Sequence, residues 1–125
     1  MKENVKFLRC AKCGNMATYI KDGGVPIVCC GEPMKILKAN TEDAAVEKHV
    51  PYCEVKDGKL EVQIGEDIHP MLDEHWIEWI AVVSEDGIEI TKLKPGMEPK
   101  ATFCNYENVD VYEYCNLHGL WKKSL

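Results

Sequence analysis

Four cysteines near the start of the chain have the spacing of a metal site. They form two pairs, Cys10-x-x-Cys13 and Cys29-Cys30, and a glycine follows each pair. Two thiolates two residues apart can hold one ion, and the glycine lets the backbone turn so that N–H groups face sulfur. Four thiolates make a tetrahedral site that suits iron or zinc. We predict one such site, the cysteine site, distorted because Cys29 and Cys30 are adjacent.

The spacing alone leaves the metal of the cysteine site open. Structural zinc is a common occupant of four cysteines. Disulfides are a weaker alternative in a reducing compartment, where cysteines more often bind metal or do redox chemistry. A zinc ribbon that binds nucleic acid is disfavoured, because the net charge of −6 opposes contact with phosphates. We therefore expect no nucleic-acid partner.

A second group combines all four histidines with one further cysteine. Its members are His49, His69, His75, Cys115 and His118. Imidazoles suit iron, copper, zinc or nickel, and a thiolate adds electron donation. Five ligands leave one octahedral position open for a small molecule, and they favour iron because zinc prefers four ligands and does no redox chemistry. The competing interpretation is that the histidines are ordinary core or surface residues, which the Cys115–His118 pairing weakens.

The cysteine count and the apolar pattern bear on the compartment. Seven cysteines are an odd number, and the first residues lack the long apolar stretch of an export signal. No run of about 18 apolar residues suggests a membrane span. We therefore expect a cytoplasmic protein with no membrane partner. Cys53 and Cys104 belong to neither metal group, and we interpret both as buried free thiols.

The two groups of ligands predict two modules, residues 1–37 and residues 38–125. Strand-like pieces at 17–20 and 25–28 flank a turn in the first module, which is too short to fold without a metal, disulfide or partner. The polar segment 38–43 is the expected linker.

The second module is expected to be rich in β-strands. Asp57-Gly58 predicts a hairpin within residues 50–64, and a second hairpin is expected from 75–83 and 88–93. Further strands are predicted at 101–105 and 109–114, whereas residues 43–48 suit either a short helix or a loop. Six or seven short strands separated by turns indicate an antiparallel sandwich.

These motifs together resemble the desulfoferrodoxins, the two-iron class of superoxide reductases, over nearly the whole chain. The cysteine pairs are similar to desulforedoxin. The other matching blocks are Glu47-Lys48-His49-Val50-Pro51, His69-Pro70-Met71, His75-Trp76-Ile77-Glu78-Trp79-Ile80 and Tyr114-Cys115-Asn116-Leu117-His118-Gly119. The resemblance implies a mainly β protein, with a small rubredoxin- or desulforedoxin-like metal domain followed by an immunoglobulin-like antiparallel β-sandwich. It also implies a homodimer.

The resemblance further implies the chemistry of each site. One iron would be bound by Cys10, Cys13, Cys29 and Cys30. The four histidines would lie roughly in a plane around a second, non-haem iron, with Cys115 as the axial ligand opposite the open position. That ferrous centre would reduce superoxide by one electron to hydrogen peroxide and so detoxify it. An external donor, such as a rubredoxin-like protein, would supply the electrons.

The resemblance gives Lys48 and Glu47 catalytic roles beside the second iron. Lys48 would attract superoxide and hold a water that supplies a proton, and Glu47 would occupy the sixth position once iron is ferric. By residue type alone, the pair is an ordinary solvated charge run. The alternatives for the protein are a rubredoxin-like electron carrier without catalytic activity, a structural zinc protein and a superoxide dismutase.

Overall fold

The computed structural model describes residues 2–41, 44–104 and 107–125. Within them the chain divides into two units, residues 3–38 and a larger unit of Lys2 with residues 39–125. A single 3₁₀ turn spans Lys2–Asn4. None of the helices in the described ranges combines the length and the apolar character that crossing a membrane requires.

Five short strands build the smaller unit. They are β1 (Phe7–Arg9), β2 (Met16–Thr18), β3 (Val28–Cys29), β4 (Glu32–Pro33) and β5 (Lys35–Ile36). A three-stranded sheet has the order β2-β1-β5, and β3 pairs with β4. The buried core is small: Leu8, Cys10 and Met34 are its fully buried members. So small an apolar core contributes little to the stability of the unit, which fits a unit that is stabilised by a metal bound to its cysteines.

The larger unit is an antiparallel sandwich. Its elements are α1 (Val46–His49), β6 (Pro51–Lys56), β7 (Lys59–Ile64), β8 (Ile77–Val83), β9 (Ile88–Lys92), β10 (Lys100–Phe103), β11 (Asp110–Cys115) and β12 (Gly119–Ser124). One sheet has the order β10-β7-β6 and the other β12-β11-β8-β9. The mainly β architecture predicted from the sequence is confirmed.

Alternating side chains of both sheets form the core of the sandwich. In β7, alternate residues from Leu60 to Ile64 are buried while their neighbours lie at or near the surface. They pack against apolar side chains of the second sheet, among them Ile80, Val82 and Val111. This period of two is what places one face of each strand in the core and the other at the surface.

The β6–β7 hairpin closes through the predicted Asp57-Gly58 turn. Asp57 has φ 53° and Gly58 has φ 74°, so both central residues are left-handed. This is the conformation of a two-residue type I′ turn, which matches the twist of the flanking strands. The turn sets the register of β7, whose far end leads into the loop that bears two of the histidines.

A β-bulge lies beside the cysteine of the second metal group. Tyr114 pairs with Trp79 but Cys115 pairs with Ile77, so β8 carries one extra residue, Glu78, at this step. Bulges re-aim side chains next to functional sites. Here both Ile77 and Cys115 join the buried core, while the rings of Trp79 and Tyr114 stack with centroids 6.0 Å apart.

The structure differs from the sequence predictions in several local respects. Strand β12 was not predicted, although its pairing with β11 covers six residue pairs. The strands of the smaller unit are shorter than the predicted 17–20 and 25–28. Cys104 is exposed, so its prediction as a buried thiol was wrong, whereas Cys53 is partly buried against the core. Asn105 and part of the predicted linker lie outside the described residues.

Candidate metal centres

The second metal group draws its side chains from separate parts of the larger unit. His49 ends α1, and His69 and His75 lie in the loop between β7 and β8. Cys115 ends β11, and His118 lies in the turn that leads to β12. One donor atom from each of the five side chains lies within 4.8 Å of all the others. The sequence prediction that these residues form one group is therefore matched by the geometry; we name it the histidine–cysteine site.

The four imidazole rings form a closed square. Ring centroids are 4.6 Å apart for His49–His69 and 4.6 Å for His69–His75. They are 5.0 Å apart for His75–His118 and 4.8 Å for His49–His118. Each of these neighbouring pairs is close to perpendicular, while His49 and His75 face each other across 6.4 Å. Four nitrogen donors thus surround one point, as the plane of an octahedral or square-pyramidal metal site requires.

Hydrogen bonds to the backbone select which nitrogen of each ring faces the centre. The Nδ1 atoms of His49 and His69 lie 2.7 Å from the carbonyl oxygens of Ala45 and Pro70, to which they donate. Each Nε2 is therefore left with a free lone pair, and the two Nε2 atoms lie 3.2 Å apart. His118 instead presents Nδ1, which lies 3.0 Å from Nε2 of His49. Second hydrogen bonds of this kind orient metal-binding imidazoles.

The unpartnered nitrogen of His75 supports a metal at this point. Its Nε2 is buried and has no hydrogen-bond partner among the described residues. A buried polar atom of this kind costs about 1–3 kcal/mol when it remains unsatisfied. A metal ion at the centre of the square would accept its lone pair, together with those of the other three rings. The donor set therefore fits a bound metal better than it fits a structural histidine cluster.

The thiol of Cys115 completes the site from beside the square. Its Sγ lies 3.5 Å from Nε2 of His69 and 3.8 Å from Nδ1 of His118. Burial raises the pKa of Cys115 to about 11, although backbone N–H groups of Leu117 and His118 oppose that shift. These N–H groups can donate hydrogen bonds to a thiolate. Because the raised pKa keeps the proton on sulfur at neutral pH, a metal ion must displace that proton as it binds.

Burial favours the neutral, metal-binding form of three of the four imidazoles. It lowers the pKa of His69 to about 4, and it also lowers the pKa values of His49 and His75. The mutual repulsion of the rings acts in the same direction. Protons consequently compete poorly with a metal ion for these nitrogens at neutral pH.

The four cysteines of the smaller unit also converge. Their sulfur atoms lie within 4.8 Å of one another, with 3.6 Å between Cys13 and Cys29 and 3.9 Å between Cys29 and Cys30. Cys30 has φ 53° and Gly31 has φ 77°. Two successive left-handed residues turn the chain sharply, which lets adjacent cysteines serve one tetrahedral site.

Backbone N–H groups stabilise negative charge on these sulfurs. The Cys13 N–H donates to Sγ of Cys10, and the Asn15 N–H donates to Sγ of Cys13. Backbone N–H groups of Cys13 and Lys12 lower the pKa of Cys10 to about 6. Sulfur–sulfur hydrogen bonds with Cys13, Cys10 and Cys29 raise the pKa of Cys30 to about 12. Four thiols held this close need a cation before all can ionise.

Lys48 and Glu47 lie in α1, directly before the ligand His49. Lys48 is half-buried and Glu47 is exposed. Both act electrostatically on the square of histidines. The pKa of His75 is lowered mainly by burial, and the positive charge of Lys48 adds to that effect. The pKa of His49, also lowered mainly by burial, is raised slightly by Glu47. The two charges thus reach opposite members of the square.

Comparison with known families identifies the chain's relatives. Residues 41–124 match the desulfoferrodoxin family model, and residues 2–37 match the model of the desulfoferrodoxin N-terminal domain. The chain belongs to the desulfoferrodoxin family. A desulfoferrodoxin from Nitratidesulfovibrio vulgaris is 47% identical over 98% of both chains. A desulfoferrodoxin homolog from Archaeoglobus fulgidus is 42% identical, again over 98% of both chains.

Solved structures of superoxide reductases share the fold. The superoxide reductase from Treponema pallidum is 30% identical, with a TM-score of 0.76 over 95% of this chain and 98% of that one. A superoxide reductase from Giardia intestinalis is 27% identical, with a TM-score of 0.55 over 63% of this chain and 97% of that one. The desulfoferrodoxin resemblance inferred from the sequence is confirmed, and the two ligand groups are consistent with two iron centres.

Sequence reasoning missed two side chains that support the desulfoferrodoxin site. The buried ring of Trp121 stacks on His49 with centroids 5.0 Å apart, and its Nε1–H donates to the His118 carbonyl oxygen at 3.0 Å. The side-chain oxygen of Asn116 accepts the Trp76 N–H at 2.9 Å, and its amide donates to the Glu74 carbonyl oxygen at 3.1 Å. Nothing in residue type predicted these contacts, although Asn116 lies inside a motif block.

A buried carboxyl group was also missed. Glu113 is fully buried, and neither of its carboxylate oxygens has a partner among the described residues. Burial raises the pKa of Glu113 well above its usual value. Its position in the predicted strand 109–114, two residues before Cys115, was the available signal. Burial therefore favours the protonated, uncharged form of this carboxyl group.

Asn116 is expected to control metal affinity through His75. Replacing Asn116 with Ala removes both side-chain bonds that tie residues 74–76 to the Cys115–His118 turn. The backbone bond from the Asn116 N–H to the Trp76 carbonyl oxygen remains, so His75 is held in place less firmly. We expect ferrous iron at the histidine–cysteine site to bind about 10–100-fold more weakly, as for other residues that orient ligands. Anaerobic competition with a chromophoric chelator measures this affinity.

Asn40→Ala is the matched control for that experiment. The side-chain amide of Asn40 also makes two hydrogen bonds, both with the backbone of Lys122, and neither involves a turn that bears a metal ligand. Its iron affinity should equal that of the wild type. Equal affinities for all three proteins would contradict the role assigned to Asn116.

Proposed function

We propose that this chain is a superoxide reductase, which converts superoxide to hydrogen peroxide with one electron from an external donor and two protons. The observation that carries the proposal is the square of four imidazoles joined by one thiolate, which supplies five donor atoms and leaves a sixth position free. Superoxide reductases from other organisms share the fold. The expected role is removal of superoxide in the cytoplasm, where cysteines that form no disulfides persist.

The protein's own groups shape the chemistry of the site. Ferrous iron, when bound, supplies the electron that reduces superoxide. His49, His69 and His75 offer Nε2, and His118 offers Nδ1. Cys115 would be the fifth ligand, and its thiolate would raise electron density at a bound metal. The N–H groups of Leu117 and His118 temper that donation by sharing the negative charge of sulfur.

Lys48 and Glu47 are the groups we assign to substrate handling. The overall charge of −6 repels an anion, so a local cation is needed to draw superoxide to the site. Lys48 is next to the ligand His49, and its positive charge contributes to the lowered pKa of His75 on the opposite corner of the square. Its ammonium group also suits the holding of a water that delivers a proton. We assign Glu47, which is exposed and lies two residues before the ligand His49, to the free position in the oxidised enzyme.

The competing functions account for less of the molecule. A rubredoxin-like electron carrier would use the cysteine site alone and leave five convergent donors without a role. A structural zinc protein has no need of five donors, because zinc prefers four. A dismutase would need the metal to be reoxidised by a second superoxide, which yields oxygen and requires no external reductant.

Product stoichiometry tests the proposed reaction. Prereduced, iron-loaded protein is mixed anaerobically with a measured amount of superoxide, and hydrogen peroxide and oxygen are both quantified. A reductase yields one hydrogen peroxide per superoxide consumed, with no oxygen beyond spontaneous dismutation. Oxygen and hydrogen peroxide in a catalysed one-to-one ratio would identify a dismutase instead. No acceleration over buffer would leave the protein without the proposed activity.

Lys48→Ile is expected to slow the reaction with superoxide by about tenfold at low ionic strength, since steering by one well-placed charge acts on the association rate. In the wild type, added salt should reduce the second-order rate constant because it screens the attraction. In the variant this decrease should vanish or reverse. Fast mixing or pulsed generation of superoxide, followed by absorbance, measures both quantities.

Two controls separate charge from side-chain loss in that experiment. Lys48→Arg keeps the cation and should retain most of the salt dependence. Lys59→Ile removes one positive charge at the exposed end of the β6–β7 hairpin, and its rate should equal that of the wild type. An unchanged rate and salt dependence in Lys48→Ile would exclude the steering role.

We propose further that the chain is a homodimer, joined at least in part through its smaller unit. Four large apolar side chains of that unit are exposed, Ile20 completely, Val25 by 73%, Val28 by 61% and Ile36 by 53%. So many apolar groups on so small a unit suggest a covered surface.

A reducing protein of the rubredoxin kind is the proposed electron donor.

Sedimentation tests the proposed dimer. The wild type should sediment as a dimer at micromolar concentration, and Ile20→Lys with Val25→Lys should shift it towards the monomer because two charges would be buried. Val55→Lys, at an exposed position of the larger unit, is the control. A wild type that sediments as a monomer would refute the proposal.

A further inference from the structure

Gly65 lies where the end of β7 passes the backbone of Lys48. It is buried, and its φ of +81° belongs to the left-handed region. A Cβ atom built on Gly65 would lie 2.6 Å from the carbonyl oxygen of Lys48 and 2.8 Å from its carbonyl carbon. It would also collide with the carbonyl oxygen of Asp67. These neighbours are backbone atoms, so no flexible side chain can move aside.

Hydrogen bonds on both sides of Lys48 accompany this close approach. The Gly65 N–H donates to the Val50 carbonyl oxygen at 3.3 Å, and the Asp67 N–H donates to the Glu47 carbonyl oxygen at 3.0 Å. The turn is itself fixed by Gln63, whose amide donates to the Gly65 carbonyl oxygen at 2.9 Å. Residues 47–50 are thus held against residues 65–67 through backbone atoms at either end.

The same segment carries three groups that the proposed reaction needs. Glu47 and Lys48 are the substrate-handling residues, and His49 is a ligand of the square. The Lys48 side chain has no hydrogen-bond or ion-pair partner among the described residues, so its position depends on where its backbone is held. A shift of the 47–50 segment would displace the cation relative to the open position while leaving the sandwich core in place.

We propose that Gly65 is a positioning residue for Lys48: its missing side chain lets residues 65–67 clamp residues 47–50, and the clamp sets the place of the ammonium group beside the metal. This inference rests on the proposed function, in which Lys48 attracts superoxide. Gly65 touches neither substrate nor metal and acts only through the segment that it holds.

The left-handed conformation alone does not explain the requirement at this position. Gly58 has φ +74° and Gly96 has φ +89°, yet a Cβ atom at either would meet nothing within 4 Å. A substitution at these positions therefore carries the backbone strain without the collision. The pair Gly65→Ala and Gly58→Ala separates the two effects within one chain.

The first experiment compares these two variants in their reaction with superoxide, with rates expressed per iron-loaded histidine–cysteine site. Gly65→Ala should lower the second-order rate constant about tenfold at low ionic strength and flatten its dependence on salt, as expected for a misplaced steering charge. Gly58→Ala should match the wild type in both. General destabilisation reduces the amount of folded protein and does not change the salt dependence of what remains.

A double variant tests whether the effect passes through Lys48. In a Lys48→Ile background, adding Gly65→Ala should produce little further loss of rate, because the charge that it misplaces is already absent. Independent effects that multiply would show that Gly65 acts through another group.

Amide hydrogen exchange of the zinc-loaded protein provides a readout that is independent of activity. The Asp67 amide should exchange about tenfold faster in Gly65→Ala than in Gly58→Ala, since its bond to Glu47 is lost with the clamp. If Gly65→Ala does not fold, Gln63→Met replaces it. That variant removes the amide bond to Gly65 without adding a collision, and it should speed Asp67 exchange and weaken the salt dependence.

The outcomes distinguish this inference from the proposed function. A wild type that does not reduce superoxide refutes the function, and Asp67 exchange then decides whether the clamp exists. A wild type that reduces superoxide, together with a Gly65→Ala variant whose salt dependence and Asp67 exchange equal those of Gly58→Ala, overturns the positioning role. The same result with Gln63→Met would overturn it where Gly65→Ala fails to fold.

Discussion

The constraint on which the larger unit depends is the convergence of five donor atoms on one point. Four imidazole lone pairs and one sulfur are held within 4.8 Å, and Nε2 of His75 has no other partner among the described residues. Such a cluster opposes folding, because desolvated lone pairs that face each other repel and remain unsatisfied. The rest of the fold must therefore offset this cost, and a bound metal would remove part of it by accepting the lone pairs.

The sandwich supplies this stability, and the loops transmit it to the ligands. All the ligands lie at strand ends, in the turns that follow them or in the short helix α1. The core from Leu60 to Ile64 fixes the end of β7, and the bulge in β8 keeps Cys115 on the core face. The loops are fixed by single contacts such as the Asn116 amide and the close approach at Gly65. Precision at the site therefore comes from a few short-range contacts on a rigid frame.

The difference between what the sequence predicted and what it did not follows from the range of each interaction. Ligand identity was predictable, because cysteine and histidine carry their chemistry in their type and pairs such as Cys10 and Cys13 are local. The Asp57-Gly58 hairpin was predictable for the same reason. Strand β12 was missed because Gly119–Ser124 is partly polar and gains its strand character from pairing with β11. The close approach of Gly65 to Lys48 joins residues 17 positions apart and leaves no mark in composition.

The charge balance of the site explains how an acidic protein can favour an anionic substrate. A bound ferrous ion with four neutral imidazoles and one thiolate would have a net charge of about +1, because metal charge enters the local balance directly. Lys48 adds to this positive field. Glu113 is buried without a partner among the described residues, and this burial raises its pKa well above the usual value, which disfavours a negative charge on the carboxyl group. The low dielectric that penalises this carboxylate also strengthens the field of the remaining charges, so one feature of the core serves both effects.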